Sequence, residues 1–78
     1  MSCDGWGVGD KCKSKYLLQL EGPSGEVIIK PNEEGVIREV KNYTPHRHAL
    51  NVFWYGPQME LIVEERDFPK LEVTTIRR

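Results

Sequence analysis

The residues of this chain best suited to holding a metal are two cysteines, Cys3 and Cys12, and the two histidines of the run His46-Arg47-His48. A His-x-His pair on a strand turns both rings to one face, and four such ligands would satisfy zinc. The spacing points elsewhere. The cysteines are nine positions apart and neither belongs to a Cys-x-x-Cys knuckle. The expectation is therefore no metal and no cofactor: a solvated basic loop tip at 46–48, and Cys12 as a small buried apolar residue. Covalent catalysis fares no better. A nucleophile needs a base that a third group orients, and Cys3 lies in a glycine-rich stretch while Cys12 is expected inside. Gly5, Gly7 and Gly9 alternate but do not follow a strand, so they do not read as a phosphate loop. The carboxylates are single or in surface pairs. A chain of this size also has little room for a deep pocket, which typically needs a few hundred Å³. The chain is expected not to be an enzyme.

Three other groups of residues suit recognition. Phe53, Trp54 and Tyr55 are consecutive aromatics. Period-two alternation puts Leu50, Val52 and Trp54 on one strand face and Asn51, Phe53 and Tyr55 on the other. Lys11, Lys13 and Lys15 likewise share a face, with Cys12 and Tyr16 opposite. Such a ladder could meet phosphates, could guard a sheet edge, or could be a solvated face. Glu60, Glu64 and Glu65 make an acidic stretch, and Arg77-Arg78 adds charge at the end of the chain.

Strands are what must position these groups. The segments around 16–20, 26–30, 35–40, 49–55, 59–65 and 71–76 are apolar and β-branched. Glu21-Gly22-Pro23-Ser24-Gly25, Pro31-Asn32 and Gly56-Pro57 supply the turns between them. No segment keeps a helical repeat over three turns, and Pro69 with the β-branched Ile62 and Val63 opposes one at 60–70. The residues expected in the core are Cys12, Val27, Ile37, Val40, Val52, Trp54, Leu61, Val63, Phe68 and Val73. Residues 1–9 read as a flexible lead-in from which Trp6 and Val8 could dock.

Bulk properties bound the answer. Seventy-eight residues make one domain, and a chain this small buries only roughly 60 % of its unfolded surface. At 38 % hydrophobic and 29 % charged, the composition is that of a soluble globular protein. The net charge of -1, from 11 basic and 12 acidic residues, gives no overall attraction to nucleic acid or anionic lipid. Two cysteines are too few for a disulfide scaffold. No basic stretch leads an apolar run and no apolar run approaches a membrane span, so a cytoplasmic location away from membranes is expected.

Four pieces then fall in order: Gly9-Asp10-Lys11-Cys12, Glu34-Gly35-Val36-Ile37-Arg38-Glu39-Val40, Asn51-Val52-Phe53-Trp54-Tyr55-Gly56 and Arg66-Asp67-Phe68-Pro69-Lys70-Leu71-Glu72-Val73. The series resembles the small SH3-like barrels, a fold met in KOW-type modules, in photosystem and ferredoxin-linked accessory subunits, in nitrogen-fixation accessory proteins and in small phage proteins. The resemblance covers about residues 9–74. It implies an all-β fold, a single small SH3-like barrel of five to six short antiparallel strands over residues 10–76, with Trp54 pointing inward. Residues 16–31 make a hairpin longer than a minimal KOW module needs. Such barrels carry many unrelated activities.

With Trp54 inward, Phe53 and Tyr55 face outward. Either they pack beneath the hairpin of residues 16–31, or they are a patch for a partner, since aromatics with a polar handle are favoured at interfaces. The functional expectation is a non-enzymatic interaction module or accessory subunit that binds a larger protein through Phe53, Tyr55, Pro57, Glu60 and Glu64. The alternative is a KOW- or Tudor-like barrel that binds nucleic acid through Lys11, Lys13, Lys15 and Arg47.

Overall fold

A computed structural model describes residues 6–45 and 47–74 of the chain. Seven strands and one 3₁₀ helix follow one another: β1 Lys11–Ser14, β2 Leu18–Gly22, β3 Gly25–Ile29, β4 Glu34–Thr44, β5 Arg47–Trp54, β6 Met59–Glu64, the 3₁₀ helix Glu65–Lys70, and β7 Leu71–Val73. The chain is all-β, as expected. Five strands form one antiparallel sheet in the order β6-β5-β4-β1-β7, and β2 pairs with β3 as a separate ribbon. The ladders do not close into a ring, because β6 and β7 stay at opposite edges of the five-stranded sheet.

The long strand β4 joins the two halves of the sheet. Its start pairs with β1, through Val36 opposite Lys11, while its whole length pairs with β5. The β4–β5 register shifts between Ile37 and Glu39. An extra residue there returns Val40 to the face of Ile37, which is how both can point inward although they are three apart. Gly35 stands directly opposite Trp54 in the β4–β5 ladder. A Cβ at Gly35 would stand 2.6 Å from the Phe53 carbonyl oxygen and 3.1 Å from the Trp54 ring. Only glycine lets the indole lie over that strand.

The core lies between the inner face of the sheet and the ribbon. Trp54, Val52, Leu50, Ile37, Leu61 and Val63 supply the sheet side, and Leu18, Leu20 and Ile29 the ribbon side. Phe68 closes one end from the 3₁₀ helix, and Trp6 packs on it at 5.3 Å between ring centroids. Pro23-Ser24 turns the ribbon, with Gly25 at φ +123°, a conformation open to glycine alone at no steric cost. Ser14 fixes the root of the ribbon. It is fully buried, and its hydroxyl donates to the Lys30 carbonyl at 2.6 Å.

Seven of the ten expected core residues are buried: Cys12, Ile37, Val52, Trp54, Leu61, Val63 and Phe68. Val27, Val40 and Val73 point the expected way but are only partly covered. They stand at the rim of the inner face, where Ile29, Leu50 and Leu71 take the deeper places. Tyr16 departs from the expectation. The first strand ends at Ser14, so alternation stops before reaching Tyr16, which is 61 % exposed. At 65–70, where Pro69 argues against a long helical repeat, the chain forms a short 3₁₀ helix that holds Pro69 within it. Within the expected lead-in, Gly9 donates to the Ile37 carbonyl at 2.7 Å while Val8 remains exposed.

Candidate partner-binding face

The outer face of the sheet is built by the same alternation that fills the core. Lys11 faces Val36, Val36 faces Phe53, and Phe53 faces Glu60, so one row crosses β1, β4, β5 and β6 as cation, aliphatic, aromatic and anion. Phe53 is half-buried in that row, and Tyr55 is 45 % exposed just past the end of β5. Their rings meet edge to face, 5.9 Å between centroids at 68°, the geometry aromatic quadrupoles prefer. The Tyr55 amide donates to the Glu34 carbonyl at 3.0 Å, which anchors the turn. Behind it, the Glu33 carboxylate packs against Gly56, in the space a side chain there would need.

The hairpin of residues 16–31 does not cover this pair. Its apolar residues Leu18, Leu20 and Ile29 go to the core, on the side of Trp54 and Leu61. Phe53 and Tyr55 belong to the other side of the sheet. The carboxylates expected beside them divide. Glu60 and Glu64 alternate with Ile62 on the outer face of β6. Glu60 accepts a hydrogen bond from the Asn51 amide at 2.7 Å, and Glu64 lies 3.9 Å from the Arg66 guanidinium. Glu65 begins the 3₁₀ helix instead. Pro57 is in the turn, half-buried.

The basic residues do not gather. Strand β1 lies between β4 and β7, so its lysines guard no edge. Lys13 faces Glu72 across the β1–β7 ladder at 3.5 Å, and Lys15 is past the end of the strand. Arg47 pairs with Thr44, eight residues further along β4 than Val36, the partner of Lys11. Two register shifts shorten that span to the six residues of β5 from Phe53 to Arg47, which at roughly 3.3 Å per strand residue is about 20 Å. Arg47 instead covers the Tyr43 ring at 5.6 Å.

Among the described residues, no three of His, Cys, Asp and Glu come together as metal ligands. His46 and Cys3 lie outside those residues. His48 Nδ1 donates to the Asn42 side-chain oxygen at 2.6 Å, its cross-strand neighbour. Cys12 has no exposed surface, and burial pushes its thiol up to about 11. A protonated thiol sealed from solvent is neither a nucleophile nor a ready metal ligand.

Two features of the surface had no place in the sequence reading. Val36 and Ile62 extend the outer apolar patch around Phe53. A groove of about 420 Å³ then runs between β2 and β6, lined by Gln19, Leu20, Glu21, Ile62, Glu64 and Arg66. It continues past Leu17 toward Lys70. Alternation in 59–64 signals that Ile62 points outward, but the facing wall from β2 comes from the tertiary fold. No helix among the described residues is long and apolar enough to cross a membrane. Comparison with protein-family models, curated proteins and solved structures finds no match to the chain.

Proposed function

We propose that this protein is a non-enzymatic interaction module that docks on a larger protein through the outer face of its sheet. The observation that carries the reading is the Phe53–Tyr55 pair, stacked edge to face and left uncovered by the ribbon. A partner that buries both rings removes apolar surface from water, and Pro57 and Val36 extend the area it meets. Glu60 and Glu64 stand at the rim, where charges mainly set the association rate and the central aromatics supply most of the affinity. In the same reading the fold is of the SH3-like type. Support comes from the pairing of the first and last strands, β1 with β7, and from the short helix at the Asp67-Phe68-Pro69 corner before the closing strand. A cytoplasmic location belongs to the same proposal and rests on the low cysteine count.

The test compares capture of one partner by three forms of the protein. Phe53→Ala with Tyr55→Ala is expected to weaken capture at least tenfold, about 1.4 kcal/mol, with the circular dichroism of the fold retained. Lys11, Lys13 and Lys15 changed together to serine are expected to cost less. An aromatic variant that unfolds, or a lysine variant that alone loses the partner, overturns the proposal.

A further inference from the structure

The edge of the sheet beside the aromatic pair has a chemistry of its own. Strand β6 is the last in its sheet, and among the described residues its outer backbone edge carries no ladder. The ribbon lies near it but makes no backbone hydrogen bond to it. Between the two runs the 420 Å³ groove. An unpaired strand edge of this kind is a ready template for another extended chain.

The side chains of β6 restrict what that chain can be. Glu60, Ile62 and Glu64 are all exposed on its outer face, anion, aliphatic, anion at every second residue. Glu21 adds a third carboxylate on the far wall of the groove, directly opposite Glu26 in the ribbon register. A second copy of this chain is a poor occupant. Antiparallel pairing of two β6 strands centred on Ile62 would set Glu60 of each against Glu64 of the other, twice over. Like charges directly opposite are destabilising. The same geometry favours a strand with cations in those two places. Arg66 approaches Glu64 only at 3.9 Å and is largely solvent-exposed, so little is lost in replacing it.

We infer that β6 accepts an added strand from a partner protein, a segment with basic residues two places on either side of an apolar one. The apolar side chain sits on Ile62 and the two cations meet Glu60 and Glu64. The residues between them turn toward Gln19 and Glu21 in the groove, and backbone hydrogen bonds form along the edge. This deepens the docking face proposed above and rests on it: the added strand extends the sheet whose outer face carries Phe53 and Tyr55.

The probe is a blocked peptide, Thr-Lys-Thr-Val-Thr-Lys-Thr, titrated into the isotopically labelled full chain. The amide resonances of β6 are expected to shift most. N-methylation of all the central peptide amides leaves the charges in place and removes the backbone pairing; it is expected to weaken binding at least tenfold. The variant Glu60→Lys with Glu64→Lys is expected to lose the lysine peptide by a similar factor and to bind Thr-Glu-Thr-Val-Thr-Glu-Thr instead. Four results overturn the inference: no shift at millimolar peptide, shifts centred away from β6, a methylated peptide that binds equally well, or self-association of the wild-type chain through β6. Because the titration is scored on peptides and on charge variants, its failure is separate from failure of the aromatic-pair capture experiment.

Discussion

Val52 to alanine tests the facing of the whole sheet. Val52 has no exposed surface and stands in the middle of β5, with Ile37 opposite on one side and Leu61 on the other. The change deletes two methyl groups. At about 0.8 kcal/mol per buried carbon the lost transfer energy is about 1.6 kcal/mol. Both neighbours are held in ladders, so the walls close only in part. A residual cavity of about 30 Å³ adds ~0.7 kcal/mol at ~24 cal/mol per Å³. The expected loss is about 2–2.5 kcal/mol, which lowers the thermal midpoint by about 10–20 °C in a domain of this size. Ile62→Ala is the control. It lies on the adjoining strand at similar depth in the sheet, but on the outer face and 37 % exposed, and is expected to cost under about 1 kcal/mol. Urea unfolding of both variants, followed by the fluorescence of buried Trp54, gives the comparison. A Val52 variant within about 0.5 kcal/mol of wild type, or an Ile62 variant that costs more, would falsify the facing.

Two further outcomes follow from the same core. Gly35→Ala brings a methyl group within 2.6 Å of the Phe53 carbonyl oxygen, a ladder atom that cannot retreat, so a loss of about 1–3 kcal/mol is expected by urea unfolding; wild-type stability would mean the β4–β5 crossing has slack. The Cys12 thiol is expected to react with a disulfide reagent only as the protein unfolds. Its folded value of about 11 lies above the ordinary 9.0, so the folded state keeps its proton after the unfolded chain has lost it. That contribution is complete below pH 9 and is lost as pH rises toward 11. The stability of wild type relative to Cys12→Ala should therefore fall by about 1 kcal/mol between pH 9 and pH 10; a difference that stays constant across that interval shows the thiol is not sealed.

Much of the fold can be read locally. The β-branched runs at 26–30 and 49–55, set off by Gly22-Pro23 and Gly56-Pro57, place β3 and β5 to within two residues, whereas β4 runs four residues beyond the apolar stretch 35–40, to Thr44. Alternation alone assigns Leu50, Val52 and Trp54 to one face and Phe53 to the other, because the side-chain period of a strand is two and admits no third choice. The same period separates Ile62 from Leu61 and Val63. Where a strand ends is less legible. Tyr16 continues the pattern of Lys11–Ser14 in the sequence, yet the chain leaves the sheet at Ser14, whose backbone bonds to Glu33 and Asn32 instead.

The candidate site divides along the same line. The aromatic pair and the alternating glutamates are consecutive or near-consecutive residues, and their directions follow from local backbone geometry. What covers them does not. Whether the ribbon of residues 18–29 folds over Trp54 or over Phe53 depends on which face gains more by burying Leu18, Leu20 and Ile29, and that is a competition between surfaces far apart in the chain. The position of β1 is of the same kind. A lysine-rich strand suits an edge, but pairing with both β4 and β7 places it inside the sheet and sets Lys13 against Glu72 rather than against a ligand. Periodicity in the sequence determined strands and faces, since it is a property of each segment alone. Strand order, the unpaired edge of β6 and the groove beside it were decided by tertiary packing, because they arise only when segments distant in sequence compete for the same core.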